Sequence, residues 1–193
     1  MMSATLSRLA ELLAERSAKR GDFVLASGRR SSLYVDCRIT TMSPDGQLLI
    51  GRAGLAALAS SGWSVDSVGG LTLGADPIAY AIAHASALAA ETAGTPLIRA
   101  FTVRKEAKQH GTGKLIEGPF RSGDRVVVVE DVITTGGSAL KAVEAVRRAG
   151  GEVSGVLALV DREEGGRECL EAAGLQVLSL VTATQLLPLI PSS

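Results

Sequence analysis

Four consecutive valines at positions 126 to 129 run straight into Glu130 and Asp131. Side chains alternate between the two faces of a strand, so an apolar run without polar interruption has to be covered on both. A sheet with helices packed on each side provides that cover, and the rest of the chain alternates as such a fold requires. The segments 64–70, 96–104, 124–132, 152–161 and 175–182 are strand-like, while 75–94, 136–150 and 165–174 between them are helical. Upstream, Leu6, Leu9, Leu12 and Leu13 predict an opening amphipathic helix over 4–19. Residues 21–38 suggest two short strands around a Ser/Gly/Arg turn. Ser43, Pro44 and Asp45 supply a cap, a first-position proline and a first-turn acid for a helix from 44 to about 60. The expectation is an α/β fold with a central, mainly parallel sheet flanked by helices.

With 193 residues, against a soft prior of about 150 per domain, one domain over 1–193 is expected. Lys plus Arg and Asp plus Glu each total 20, so no global charge draws the chain to nucleic acid or an anionic membrane. Any anion must be held by a local site. Cys37 and Cys169 lie far apart, with no CxxC and no histidines at metal-ligand spacing, which fits reduced, buried thiols in a cytoplasmic protein. Glu11 and Glu15 make the N-terminal segment neither a secretory signal nor an acid-poor transit peptide. The longest apolar stretch, 79–90, is interrupted by His84 and Ser86 and is shorter than the about 20 residues a membrane span needs. It is expected as a buried helix, with His84 a core or interface residue. Tyr34 and Asp36 are expected to pack, and Glu163 with Glu164 to form a charged turn.

One segment breaks the alternation. Residues 105–123 are polar and glycine-rich and occupy the place of a crossover helix. Long irregular segments in compact domains are usually functional lids or disordered. Lys105, Lys108, His110 and Lys114 suit a lid over an anion. A nucleotide-binding P-loop is excluded, because "HGTGK" is followed by Leu115 where G-x-x-x-x-G-K-[ST] needs a hydroxyl.

Ligands of an open parallel sheet bind beyond the carboxyl ends of its strands. There, Gly136 and Gly137 let the backbone approach a ligand. Thr134, Thr135 and Ser138 offer hydroxyls, and the free N–H groups of the next helix point at the same spot. Such a cradle suits a phosphate monoester. Glu130 and Asp131 cannot share that phosphate, because like charges repel strongly in a poorly solvated cleft. Carboxylates accept hydrogen bonds, so their partners are sugar hydroxyls or a cation. A ribose 5-phosphate unit satisfies both halves. Any one of these residues could be an ordinary helix cap, but the ordered run from strand to serine matches separate parts of one ligand.

This run resembles the ribose-phosphate signature of the type I phosphoribosyltransferases, which use 5-phosphoribosyl 1-diphosphate. "RKEAKQHGTGKLIEG" at 104–118 resembles the lid of the orotate-using members, with its R-K-x-x-K-x-H-G pattern. "FVLASGRRSSLYVDCR", "GGLTLGADPIA" and "LVDREEGG" follow the same family in the same order, so the resemblance spans roughly 20 to 166. It implies a small N-terminal hood of helix and short strands over about 1–40 and a flexible lid loop over about 104–118.

The resemblance also implies roles. Glu130 and Asp131 would hold the ribose hydroxyls, and Val132, Ile133, Thr134, Thr135, Gly136, Gly137 and Ser138 would wrap the 5'-phosphate. Arg104, Lys105, Lys108 and His110 would serve the diphosphate, with Lys105, Lys108, His110 and Asp131 in catalytic roles. Thr134 and Arg162 would contact orotate; a guanidinium at a strand end can also pair a carboxylate in bidentate fashion. The implied reaction makes orotidine 5'-phosphate and diphosphate in pyrimidine biosynthesis. Mg2+ would be held mainly by substrate and water, in a homodimer whose lid reaches the neighbouring site. Ala26 and Thr72-Leu73 stand where many relatives carry lysine and Tyr-Lys. "GGLTLGADPIA" can still bind diphosphate through backbone groups at Gly74 and Ala75, with Asp76 a helix cap or a water-mediated metal contact. Transfer to a different nucleobase, or a regulator that only senses the activated sugar, are the alternatives.

Overall fold

The computed structural model describes residues 2–24, 30–106 and 115–191. Lys108 and His110, and Ala26 in the hood, lie outside them. The valine run forms the strand β6 (Arg125–Ile133), at the centre of a six-stranded sheet ordered β5-β4-β3-β6-β7-β8. Its neighbours are β3 (Ser67–Leu71) and β7 (Glu152–Asp161), both parallel to it, with Val68 opposite Val127 and Val156 opposite Val128. Beyond them lie β4 (Arg99–Val103) and β8 (Val177–Thr182), also parallel. Within this sheet only β5 (Ile116–Glu117), paired with β4, is antiparallel among the described strands.

The double cover is present. Val127 and Val129 pack into one core cluster with Leu9 and Leu13 of α1 (Ala4–Arg16), Ile50 of α3 (Pro44–Ser60), and Ile78 and Ile82 of α4 (Ala75–Ala93). Val126 and Val128 pack into a second with Ala142, Val143 and Val146 of α5 (Gly137–Arg148) and Leu170 of α6 (Gly166–Ala172). The four valines are fully buried, alternately in the two clusters. Burying a side chain of this kind contributes about 1.5–3 kcal/mol, which makes β6 the strand on which both layers depend.

The N-terminal segment is a helix followed by an antiparallel hairpin, β1 (Ala18–Val24) with β2 (Arg30–Val35). Phe23 and Tyr34 stack across it at 5.4 Å, although Tyr34 remains 42% exposed. The Arg20 guanidinium donates to the Leu187 carbonyl, fastening the hairpin to the 3-10 turn Leu187–Leu189 near the end of the chain. As expected, Ser43 accepts from Gly46 N–H at 3.2 Å and caps α3, with Pro44 in its first turn.

Several expectations are corrected. The opening helix stops at Arg16 because Ala18 already pairs with Val35. The short helices α2 (Arg38–Thr41) and α7 (Ala183–Leu186) have too few residues to carry a periodic signal. β5 falls inside the stretch expected to be irregular, since two residues give no alternation. Cys169 is exposed on α6 while Cys37 is buried, and His84 is exposed on α4, which removes the core alternative and leaves the interface one. Among the described residues no helix is long and apolar enough to cross a membrane.

Candidate active site

The carboxyl end of β6 opens directly into α5. Gly136, at φ +80°, stands at the helix N-cap, and no side chain caps that end, so its first N–H groups face the strand edge with their dipole. Glu130 together with 132–139 lines a hollow of about 130 Å³, the size of one phosphate group with its water. Thr135 and Ser138 are exposed at its rim and Thr134 is half-buried. A Cβ on Gly136 would lie 2.9 Å from the Gly166 carbonyl, so α6 closes on the loop where only glycine leaves room.

The acid pair forms the wall. Burial pushes the Glu130 carboxyl up to about 8, and the neighbouring Asp131 charge adds to it. Glu130 Oε2 is buried without a hydrogen-bond partner among the described residues. Burial also raises Asp131, opposed by the Val132 N–H, which donates to its Oδ1 at 2.9 Å. Underneath, the buried thiol of Cys37 lies 3.8 Å from the Asp131 carbonyl oxygen. Beside it Asp36 accepts Arg38 through both oxygens, each at 2.8 Å, which holds its carboxyl below the usual range. The unpaired Glu130 Oε2 borders the anion cradle, where a sugar hydroxyl could donate to it.

The turn after β3 completes the wall from the other side. A Cβ on Gly74 would stand 2.4 Å from Asp131 Oδ2. Asp76 makes no side-chain cap bond; its Oδ2 accepts Thr72 at 2.6 Å and its Oδ1 accepts Thr102 at 2.9 Å. Nothing local marks Gly74 as the seat of a carboxylate 57 positions away. The glycine before an acidic first turn was its only signal.

The remaining candidates occupy separate places. Arg162 follows β7, and its N–H donates to the Ile133 carbonyl at 3.0 Å, beside the cradle. Its guanidinium is buried, donating to the Leu33 carbonyl of β2 at 2.6 Å and to Glu164 at 2.8 Å. Glu164 is thus a partner of Arg162, while Glu163, at φ +56°, accepts the Thr184 N–H at 2.7 Å. Arg104 and Lys105 leave the end of β4, two strands from β6, or about 10 Å across the sheet. Arg104 lies 3.8 Å from Glu117, and Lys105 is exposed.

Among the described residues no three His, Cys, Asp or Glu side chains converge to hold a metal ion. The donor set at Glu130 and Asp131 fits instead a hard cation that keeps oxygens of its own ligand and water and takes one or two carboxylates.

Comparison with known proteins gives a consistent result. The family model of the phosphoribosyl transferase domain matches residues 50–172. The chain is 48% identical to an orotate phosphoribosyltransferase of Aquifex aeolicus, over 97% of this chain and 100% of the relative. A crystal structure of the Mycobacterium tuberculosis orotate phosphoribosyltransferase with Fe(III) dicitrate superposes with a TM-score of 0.79 at 46% identity, covering 94% of this chain and 98% of that one. The same enzyme in complex with 5-phospho-alpha-D-ribosyl 1-diphosphate gives 0.75 at 41% identity, covering 96% and 93%.

Proposed function

Because the chain belongs to the phosphoribosyl transferase family, we propose that it transfers the 5-phosphoribosyl group from 5-phosphoribosyl 1-diphosphate to orotate. The products are orotidine 5'-phosphate and diphosphate, in pyrimidine biosynthesis. The observation that carries this reading is the phosphate-sized hollow at the uncapped start of α5, walled by Glu130, whose Oε2 has no hydrogen-bond partner among the described residues. Near-full-length identity to orotate enzymes selects the base.

In this mechanism the 132–138 loop and the α5 N-terminus hold the 5'-phosphate, and Glu130 and Asp131 accept the ribose hydroxyls. Breaking the bond from the anomeric carbon to diphosphate builds positive charge on the sugar and negative charge on the leaving group. The site must therefore orient orotate and stabilise the departing anion more than it must supply a strong base. Arg104 and Lys105 stand on the diphosphate side, and the sequence puts Lys108 and His110 just after them. Thr134 and Arg162 face the base. Mg2+, held by substrate oxygens with Asp131 or Glu130 as carboxylate ligands, would neutralise diphosphate charge.

The protein acts as a homodimer in the cytoplasm. Tyr80, Leu88 and Leu97 are each about half exposed or more, at 52%, 49% and 63%, on and after α4, which supports a partner surface. The unpaired thiols of Cys37 and Cys169 suit a reducing compartment.

The test is an ultraviolet assay of orotate consumption with 5-phosphoribosyl 1-diphosphate and Mg2+, run beside hypoxanthine and uracil. Orotate alone should turn over. Its failure to do so would overturn the reading.

A further inference from the structure

Asp76 lies in the first turn of α4 and is 7% exposed. Its two oxygens are used by threonines from different parts of the site. Thr72 opens the turn that brings Gly74 against Asp131. Thr102 sits in β4 opposite Glu117, two residues before Arg104. Strand alternation turns Phe101 and Val103 into the core on one face and leaves Thr102 on the other, toward α4. Two further bonds join the same pieces: the Thr72 N–H donates to the Val103 carbonyl at 2.8 Å, and the Tyr80 hydroxyl lies 2.9 Å from that of Thr102.

A buried carboxylate is costly unless its oxygens are satisfied, and hydrogen bonds to an ionised acceptor are roughly twice as strong as neutral ones. Asp76 therefore resists separation of the two elements it bridges more than an apolar contact would. The turn depends on that. Leu73 is 54% exposed and brings no charge, and the Thr72 N–H is taken by Val103, so what the turn can offer an anion is the backbone N–H groups of 73–75. Their direction is set by how the turn is anchored.

We propose that Asp76 is the positioning residue of the diphosphate side of the site. By holding Thr72 and Thr102 together, it sets the 72–75 turn against Asp131 and against the end of β4 that carries Arg104 and Lys105. This rests on the phosphoribosyl-transfer reading and deepens it. Asp76 itself touches no substrate.

Three variants test it. Thr102→Val keeps the side-chain shape and removes the bond from β4. Asp76→Ala removes both bonds, and Asp76→Asn retains one acceptor and gains a donor that the other hydroxyl can accept. Inhibition by inorganic diphosphate is measured beside inhibition by ribose 5-phosphate, with kcat, both KM values and Tm. T102V and D76A should weaken diphosphate inhibition about tenfold and lower kcat by a similar factor, a loss of about 1.4 kcal/mol. Ribose 5-phosphate inhibition and the KM for orotate should move by less than about twofold, and D76N should recover most of the loss. Equal weakening of both inhibitors, or a lower Tm with unchanged diphosphate inhibition, overturns the assignment. Absence of turnover in the unaltered protein would instead bring down the parent reading and this one together, so the two failures are distinguishable.

Discussion

The backbone of Gly74 rests on the carboxylate of Asp131: a Cβ at residue 74 would stand 2.4 Å from Oδ2 and 2.5 Å from Cγ. Real Cβ contacts are not this close, so any side chain must displace the acid or lift the turn. Gly74→Ala is expected to lower kcat by about 100-fold, the scale of a 1 Å misplacement at a reacting centre. Its Tm should change little, because position 74 lies outside both core clusters. Steady-state kinetics and a thermal melt together check this.

Glu130 should make the ligand-free protein pH-sensitive. Its carboxyl is raised from 4.5 to about 8, first by burial and then by Asp131. A folded value above the unfolded one gives stability that is complete below about pH 4.5 and is lost as pH rises through about 8. Glu130→Gln stays neutral throughout. At pH 8 to 9 it should be more stable than the parent by on the order of 1 kcal/mol, or about 2–4 °C in Tm. The gap should close toward pH 4.5. Melts across that range decide it, and a gap that widened toward acid would contradict the burial argument.

Arg162, proposed to meet the base, is also held by the Leu33 carbonyl and Glu164. Removing one partner of a buried ion pair costs about 3–5 kcal/mol, and Arg162→Ala also strips the Leu33 carbonyl of its donor. This variant should therefore lose stability and turnover together. Arg162→Lys retains the charge but not the planar fork, so it should raise the KM for orotate more than it lowers Tm. Chemical denaturation beside kinetics separates the two effects.

Gly136 tests the phosphate end. At φ +80° an L-residue costs about 1–2 kcal/mol, and its Cβ would crowd the Gly166 carbonyl. Gly136→Ala should tilt the start of α5 and weaken inhibition by ribose 5-phosphate about tenfold. Diphosphate inhibition, which belongs to the other side of the site, should hardly change.

Much of this was legible in the chain. The cap formed by Ser43 and Pro44, the alternate burial of Val126 to Val129, and the glycine loop before α5 all follow from interactions within a few residues. Cys169 was misjudged, and His84 was left between core and interface, because an apolar neighbourhood in sequence does not say which side of a helix faces the sheet. β5 was missed because two residues become a strand only when β4 offers them a partner.

Residue order by itself determined the layered α/β class, the acid pair and the cradle, because helical and strand periodicity and glycine conformation are local properties. The three long-range contacts at the site were decided by the tertiary structure alone. Gly74 meets Asp131 because β3 and β6 are neighbours in the sheet although far apart in sequence. Thr102 meets Asp76 because α4 packs against β4. Arg162 meets Leu33 because the N-terminal hairpin folds over the end of β7. Such juxtapositions depend on strand order and on which faces the whole chain can bury together, and no short stretch of sequence carries that information.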